Sequence, residues 1–189
     1  MFSRILIKLV DQAILPAILL LAARVVSIIL ISKNQGLAYE VNGSGVLFSN
    51  VSDYILVNSY SIFIMGLVLL LGLSLVLFKS FVFHDTHITP GLSAKMFSLN
   101  IPSFIQNSFE LYSQGIVWVS YLYLLLIVSA IMSVFGLLYS WVFYVTLFTA
   151  ILSTVLFIMD IEREIEIAKN KEPIYDNHAD YLSREQNDE

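Results

Sequence analysis

Cysteine is missing from all 189 residues, so disulfides, thiolate metal centres and cysteine nucleophiles are excluded. Charge is scarce too: 13% of residues are Asp, Glu, Lys or Arg, about half the share usual in a soluble domain. There are four prolines, so apolar runs go largely unbroken. The sequence also lacks GxSxG, GxxxxGK and GxGxxG, which removes the common signatures of a serine nucleophile elbow and of phosphate-cradling loops. No acid falls inside the later apolar runs, so an intramembrane carboxylate pair is excluded there. No enzymatic activity and no cofactor are expected.

What is present is hydrophobic. Apolar residues make up 58% of the chain and mean hydropathy is +0.80. Four runs carry the excess, at 13–32, 60–78, 115–135 and 141–159. Each is close to the ~20 residues that cross ~30 Å of hydrocarbon at 1.5 Å per residue. The fold expected is an all-α membrane protein with four transmembrane helices forming one domain, 1–159. The first run has a basic approach (Arg4, Lys8), but Asp11 interrupts it and no small-x-small cleavage site follows. It is expected to be retained as a span rather than removed.

The net charge of −5 is unevenly placed. Residues 160–189 hold ten acids against four bases, a net of −6, which leaves +1 for the rest. An acidic tail is therefore expected, helical to about residue 172 and mobile beyond. A neutral membrane body with an acidic tail argues against nucleic acid as a partner. Orientation follows from Lys and Arg near span ends. Arg4, Lys8, Lys79, Lys95 and the four bases of the tail share one side, opposed by Lys33 alone, so both termini are expected to be cytoplasmic, in the cell membrane. Trp118 and Tyr121 are expected at the inner headgroup level, and Tyr139, Trp141 and Tyr144 at the outer turn.

The connections differ in character. On the outer side, Asn42-Gly43-Ser44-Gly45 between short apolar runs predicts a small β-hairpin, with a plain loop as the alternative. Asn42-Gly43-Ser44 and Asn50-Val51-Ser52 also match the glycosylation sequon. On the inner side, the stretch from His84 to Lys95 reads as a loop broken at Pro90-Gly91. Beyond it, Phe104, Ile105, Phe109 and Tyr112 share one helical face, which predicts an amphipathic interfacial helix over 103–113. Between the third and fourth spans there is room only for a short turn. Small residues there, Ser129, Ser133 and Gly136 on one helix and Thr146, Ala150 and Thr154 on the next, are candidates for close helix packing.

Candidate functional residues are few. His84 and His87 flank Asp85, which is the nearest approach to a metal constellation, but nothing close completes the shell and no metal is expected. Asp11, Pro16 and Arg24 are the polar or helix-breaking residues of the first span. Arg24 is the sharpest anomaly, since a cation at that depth costs ~2.5–3.5 kcal/mol on insertion scales. Three roles are open to it: hydrogen bonding inside the bundle, with Ser27 or freed carbonyls; pairing with an acid, either Asp53 or one from another protein; or lining an aqueous path. The function expected is a non-catalytic subunit, scaffold or assembly factor of a membrane complex, with a small oligomeric transporter or channel as the alternative. Partners implied are the lipid bilayer and other membrane subunits or further copies of this chain.

Overall fold

A computed structural model describes residues 2–43, 45–83, 90–100 and 108–171. In chain order the elements are α1 (Phe2–Gln35), β1 (Tyr39–Asn42), β2 (Gly45–Phe48), α2 (Val51–Phe83), α3 (Pro90–Ser98), α4 (Ser108–Val134) and α5 (Ser140–Lys171). Four helices are long and apolar enough to cross a membrane: Leu9–Gln35, Val51–Val82, Glu110–Val134 and Ser140–Ile167. They match the four apolar runs but extend past them, because polar helix formers at the boundaries continue the backbone ladder that lipid demands.

Residues 1–153 form one compact unit. Within it α2 is central, approached closely by α1 and by α4, and α1 and α4 also touch. Its core includes Leu69 and Leu73 from α2, Leu122 and Leu125 from α4, and Val142 and Ala150 from α5. Gly72 of α2 allows the tightest contact. A side-chain carbon there would fall among the ring atoms of Trp118 on α4. Trp118 is accordingly buried in the core against α2. The outward surface carries Ile18, Leu71, Leu75, Ile127 and Phe148, as a hydrocarbon environment requires.

Helix ends are closed by backbone geometry. α4 stops where Gly136 adopts φ 69°, with Gly136 N–H donating to Ser133 O and Leu137 N–H to Met132 O. This is a Schellman cap, and α1 ends the same way at Gly36. β1 and β2 pair antiparallel, Tyr39 opposite Phe48 and Asn42 opposite Gly45, so the glycine-rich turn does form a hairpin. A lone two-stranded hairpin is marginal in water. Here Phe48 packs at a tilt against Tyr39 (6.1 Å) and meets Tyr54 of α2 edge-on (6.5 Å), which ties the hairpin to the bundle.

The inner connection departs from expectation. Residues 90–98 form a helix rather than a loop, because Pro90 stands at its first position, where a missing N–H costs nothing. Of the interfacial helix expected over 103–113, residues 103–107 lie outside the described residues, and 108–113 are the first turns of α4.

The second unit, from Thr154 onward, is described as the continuation of α5 to Lys171. Glu162, Arg163, Glu166 and Lys169 are exposed on it. The tail beyond lies outside the described residues.

Candidate functional site

Arg24 lies on α1 roughly 3 Å to the hairpin side of the midpoint of its span, at 1.5 Å per residue. Its Nη2 donates to Oδ1 of Asn58 on α2 at 2.7 Å. The amide of Asn58 then turns its Nδ2 to the carbonyl of Leu137 at 2.9 Å, with Met132 Sδ 3.3 Å away. One neutral side chain thus joins α1, α2 and the turn between α4 and α5.

A second link lies beside it. Ser27 Oγ donates to the Arg24 carbonyl at 3.0 Å and lies 2.6 Å from Ser61 Oγ. With the Ser27 proton committed to that carbonyl, Ser61 is the donor between the two hydroxyls. Ser59 Oγ accepts from Tyr139 N–H at 2.9 Å, meeting a backbone donor exposed at the start of α5. Ser27, Asn58, Ser59 and Ser61 are all buried. Together they form a polar layer in an otherwise apolar bundle.

The layer is incomplete around the cation. Nη1 of Arg24 is enclosed and has no acceptor among the described residues. A hydrogen bond between membrane helices contributes ~0.6 kcal/mol on average and ~1.7 at most, less than the cost of placing the charge. Asn58 therefore offsets only part of the demand. Asp53 is not the partner. It accepts from Asn50 Nδ2 at 3.1 Å at the start of α2. Asp11 is exposed nearer the other end of α1, about 20 Å from Arg24 along the axis.

Pro16 is buried inside α1 without ending it. Proline cannot donate to the carbonyl four residues back, and its ring loosens that turn. Tyr121 of α4 donates its hydroxyl to the Ala13 carbonyl at 3.2 Å, within the same turn. The carbonyl left without its helix donor is that of Gln12, so the tyrosine reinforces the adjacent position of the same turn.

The small residues of α4 and α5 have mixed placements. Ser129 is buried, but its hydroxyl donates to Leu126 O in its own helix; Thr146 does the same to Val142 O. Ala150 is packed in the core. Ser133 lends its carbonyl to the α4 cap, and Gly136, with open space where a side chain would stand, supplies the positive φ of that cap. Thr154 belongs to the second unit. His84, Asp85 and His87 lie outside the described residues, and among the described residues no group of three His, Asp or Glu is placed to hold a metal ion.

Asn58, Ser59 and Ser61 were not legible as site residues, because the second apolar run begins at Tyr60 and makes them look like its boundary. The helix begins at Val51, which carries them into the span. One signal was available: Asn58 and Ser61 repeat the three-residue spacing of Arg24 and Ser27. Four helices long and apolar enough to cross a membrane define the class, a multi-pass helical membrane protein. No family model, curated protein or solved structure matches the chain.

Proposed function

We propose that this protein is a non-catalytic subunit, scaffold or assembly factor of a membrane complex, held in the cell membrane with both termini cytoplasmic. The observation that carries the reading is the exposure of α1. Of the four spans it buries the smallest share, 17% against 28–33% for the others. Ile14, Ile18, Ala22, Val25 and Ile29 are all exposed along it, at spacings of four, four, three and four. That repeat keeps one stripe in register along a helix, as a second helix packed against it requires. Leu15, Leu19, Val26 and Leu30 are exposed beside it, so the uncovered face is broad, and what supports a partner is that α1 leaves more of itself uncovered than any other span. The distribution of Lys and Arg supports the orientation.

Purification in mild detergent with identification of co-purifying chains tests it. Ile18→Trp and Val25→Trp are expected to strip a stoichiometric partner, or a second copy, while Ile127→Trp on exposed α4 leaves it bound. A chain that purifies as a monomer without partners contradicts the reading.

The alternative, a small oligomeric transporter or channel, is favoured by one observation: two cavities meet at Arg24 and Asn58. Arg24→Leu separates the two. Altered flux with intact assembly favours transport; lost assembly favours the subunit.

A further inference from the structure

The cavity on the inner side of Arg24 measures about 390 Å³ and runs between α1, α2 and α4. Its wall is formed by Ala17, Leu21, Ile62, Leu124, Val128 and Met132, with Arg24 and Asn58 at one end. Leu21, Leu124 and Val128 are exposed, so the mouth opens between α1 and α4 toward hydrocarbon. On the hairpin side a second cavity of about 280 Å³, walled by Ile28, Phe48, Tyr54 and Val57, also ends on Arg24 and Asn58. Arg24 thus lines both the apolar slot and the passage toward the hairpin, while its Nη1 is enclosed by protein.

Among the described residues no carboxylate pairs with Arg24, and Nη1 has no acceptor. A cation held this way, without a counter-ion, leaves part of its charge and one of its nitrogens unmatched. Its complement is a single negative head attached to an apolar chain. We propose that this site binds a long-chain fatty acid anion, its carboxylate on the guanidinium and its hydrocarbon chain in the slot between α1 and α4.

Each part of that choice has a physical reason. A carboxylate is a compact, charge-assisted acceptor matched to guanidinium N–H groups. Nη1 is enclosed in the structure, so binding requires the long Arg24 side chain to turn toward the slot, exchanging part of its contact with Asn58 for the carboxylate. The slot lies at the small end of the ~300–1,000 Å³ usual for ligand sites, which suits one hydrocarbon chain. A small soluble anion leaves the apolar slot unfilled. The site is independent of the α1 contact stripe, since Ile14, Ile18, Ala22, Val25 and Ile29 do not line it.

The test uses the full chain in nanodiscs of phosphatidylcholine and a palmitic acid probe carrying a photoactivatable diazirine. The acid is expected to label peptides containing Leu21, Leu124 or Val128 at least about tenfold more than its methyl ester, a difference of ~1.4 kcal/mol. Unlabelled palmitate is expected to compete and phosphatidylglycerol to leave the labelling unchanged. Arg24→Gln is expected to bring acid labelling down to the ester level. Should that variant fail to fold, Val128→Trp, which plugs the mouth from an exposed position, is expected to abolish the labelling in a folded protein. Equal labelling by acid and ester overturns the proposal. So do displacement by phosphatidylglycerol alone and labelling indifferent to the folded variants.

Discussion

Arg24 and Asn58, on neighbouring helices, are joined by a 2.7 Å hydrogen bond at the level of the turn between α4 and α5. The same asparagine amide holds the Leu137 carbonyl, so the cation of α1 and the turn after α4 share one anchor. An asparagine suits this position because it accepts with one end and donates with the other while remaining neutral. Aspartate can neutralise the arginine but, when ionised, cannot donate to the carbonyl.

Replacing Asn58 by Leu is expected to lower stability by about 1–3 kcal/mol, since the guanidinium loses its acceptor and the Leu137 carbonyl its donor. Thermal unfolding in detergent reads this directly. Asn58→Asp is expected to fall between wild type and Asn58→Leu, keeping the contact with Arg24 and losing the one to Leu137. If Asn58→Leu melts like wild type, the anchor has no energetic weight.

Tyr121→Phe isolates the contact beside Pro16. The ring stays and the hydroxyl goes, so the Ala13 carbonyl loses the donor that comes from α4. A loss of about 0.5–1.5 kcal/mol is expected. In a Pro16→Ala background the same change is expected to cost less, because the restored hydrogen bond to the Gln12 carbonyl steadies the turn that contains Ala13. Equal costs in the two backgrounds contradict the link.

Gly72→Ala places a methyl among the ring atoms of Trp118 and is expected to destabilise the contact between α2 and α4 by about 1–3 kcal/mol. Combined with Trp118→Leu, the loss is expected to be smaller than the sum of the two single losses, because the smaller side chain makes room. Strict additivity in the double mutant speaks against steric contact as the cause.

Orientation is open to direct measurement, because the chain has no cysteine of its own. With Gly43→Cys in the hairpin turn and Lys95→Cys in α3, an impermeant thiol reagent applied outside intact cells is expected to label position 43 and spare position 95. The reverse pattern inverts the proposed topology.

The four spans were readable from composition and run length, because lipid tolerates backbone only as closed helices and long apolar stretches have no other stable state there. The hairpin turn was readable as well, since glycine at Gly45 supports a φ of 127° that other residues resist. The helix at Pro90 was hidden because proline reads as a breaker in sequence and as a first residue only when the following turn is seen. The burial of Trp118 was hidden for a related reason: an aromatic near a predicted span end looks like a headgroup anchor until a glycine on another helix is found beneath it.

Arg24 shows where sequence reasoning stops. Its position in a span, and the absence of any acid elsewhere in the spans as they were read, follow from residue order alone. That order determined a membrane protein with one costly buried cation near the middle of its first helix. The partner was decided by tertiary structure, because hydrogen bonding depends on which faces two helices turn toward each other, and residue spacing carries no information about the facing side of a second helix. Side-chain packing then placed Asn58 beside the guanidinium, left Nη1 without an acceptor, and opened an apolar slot to lipid at the same point.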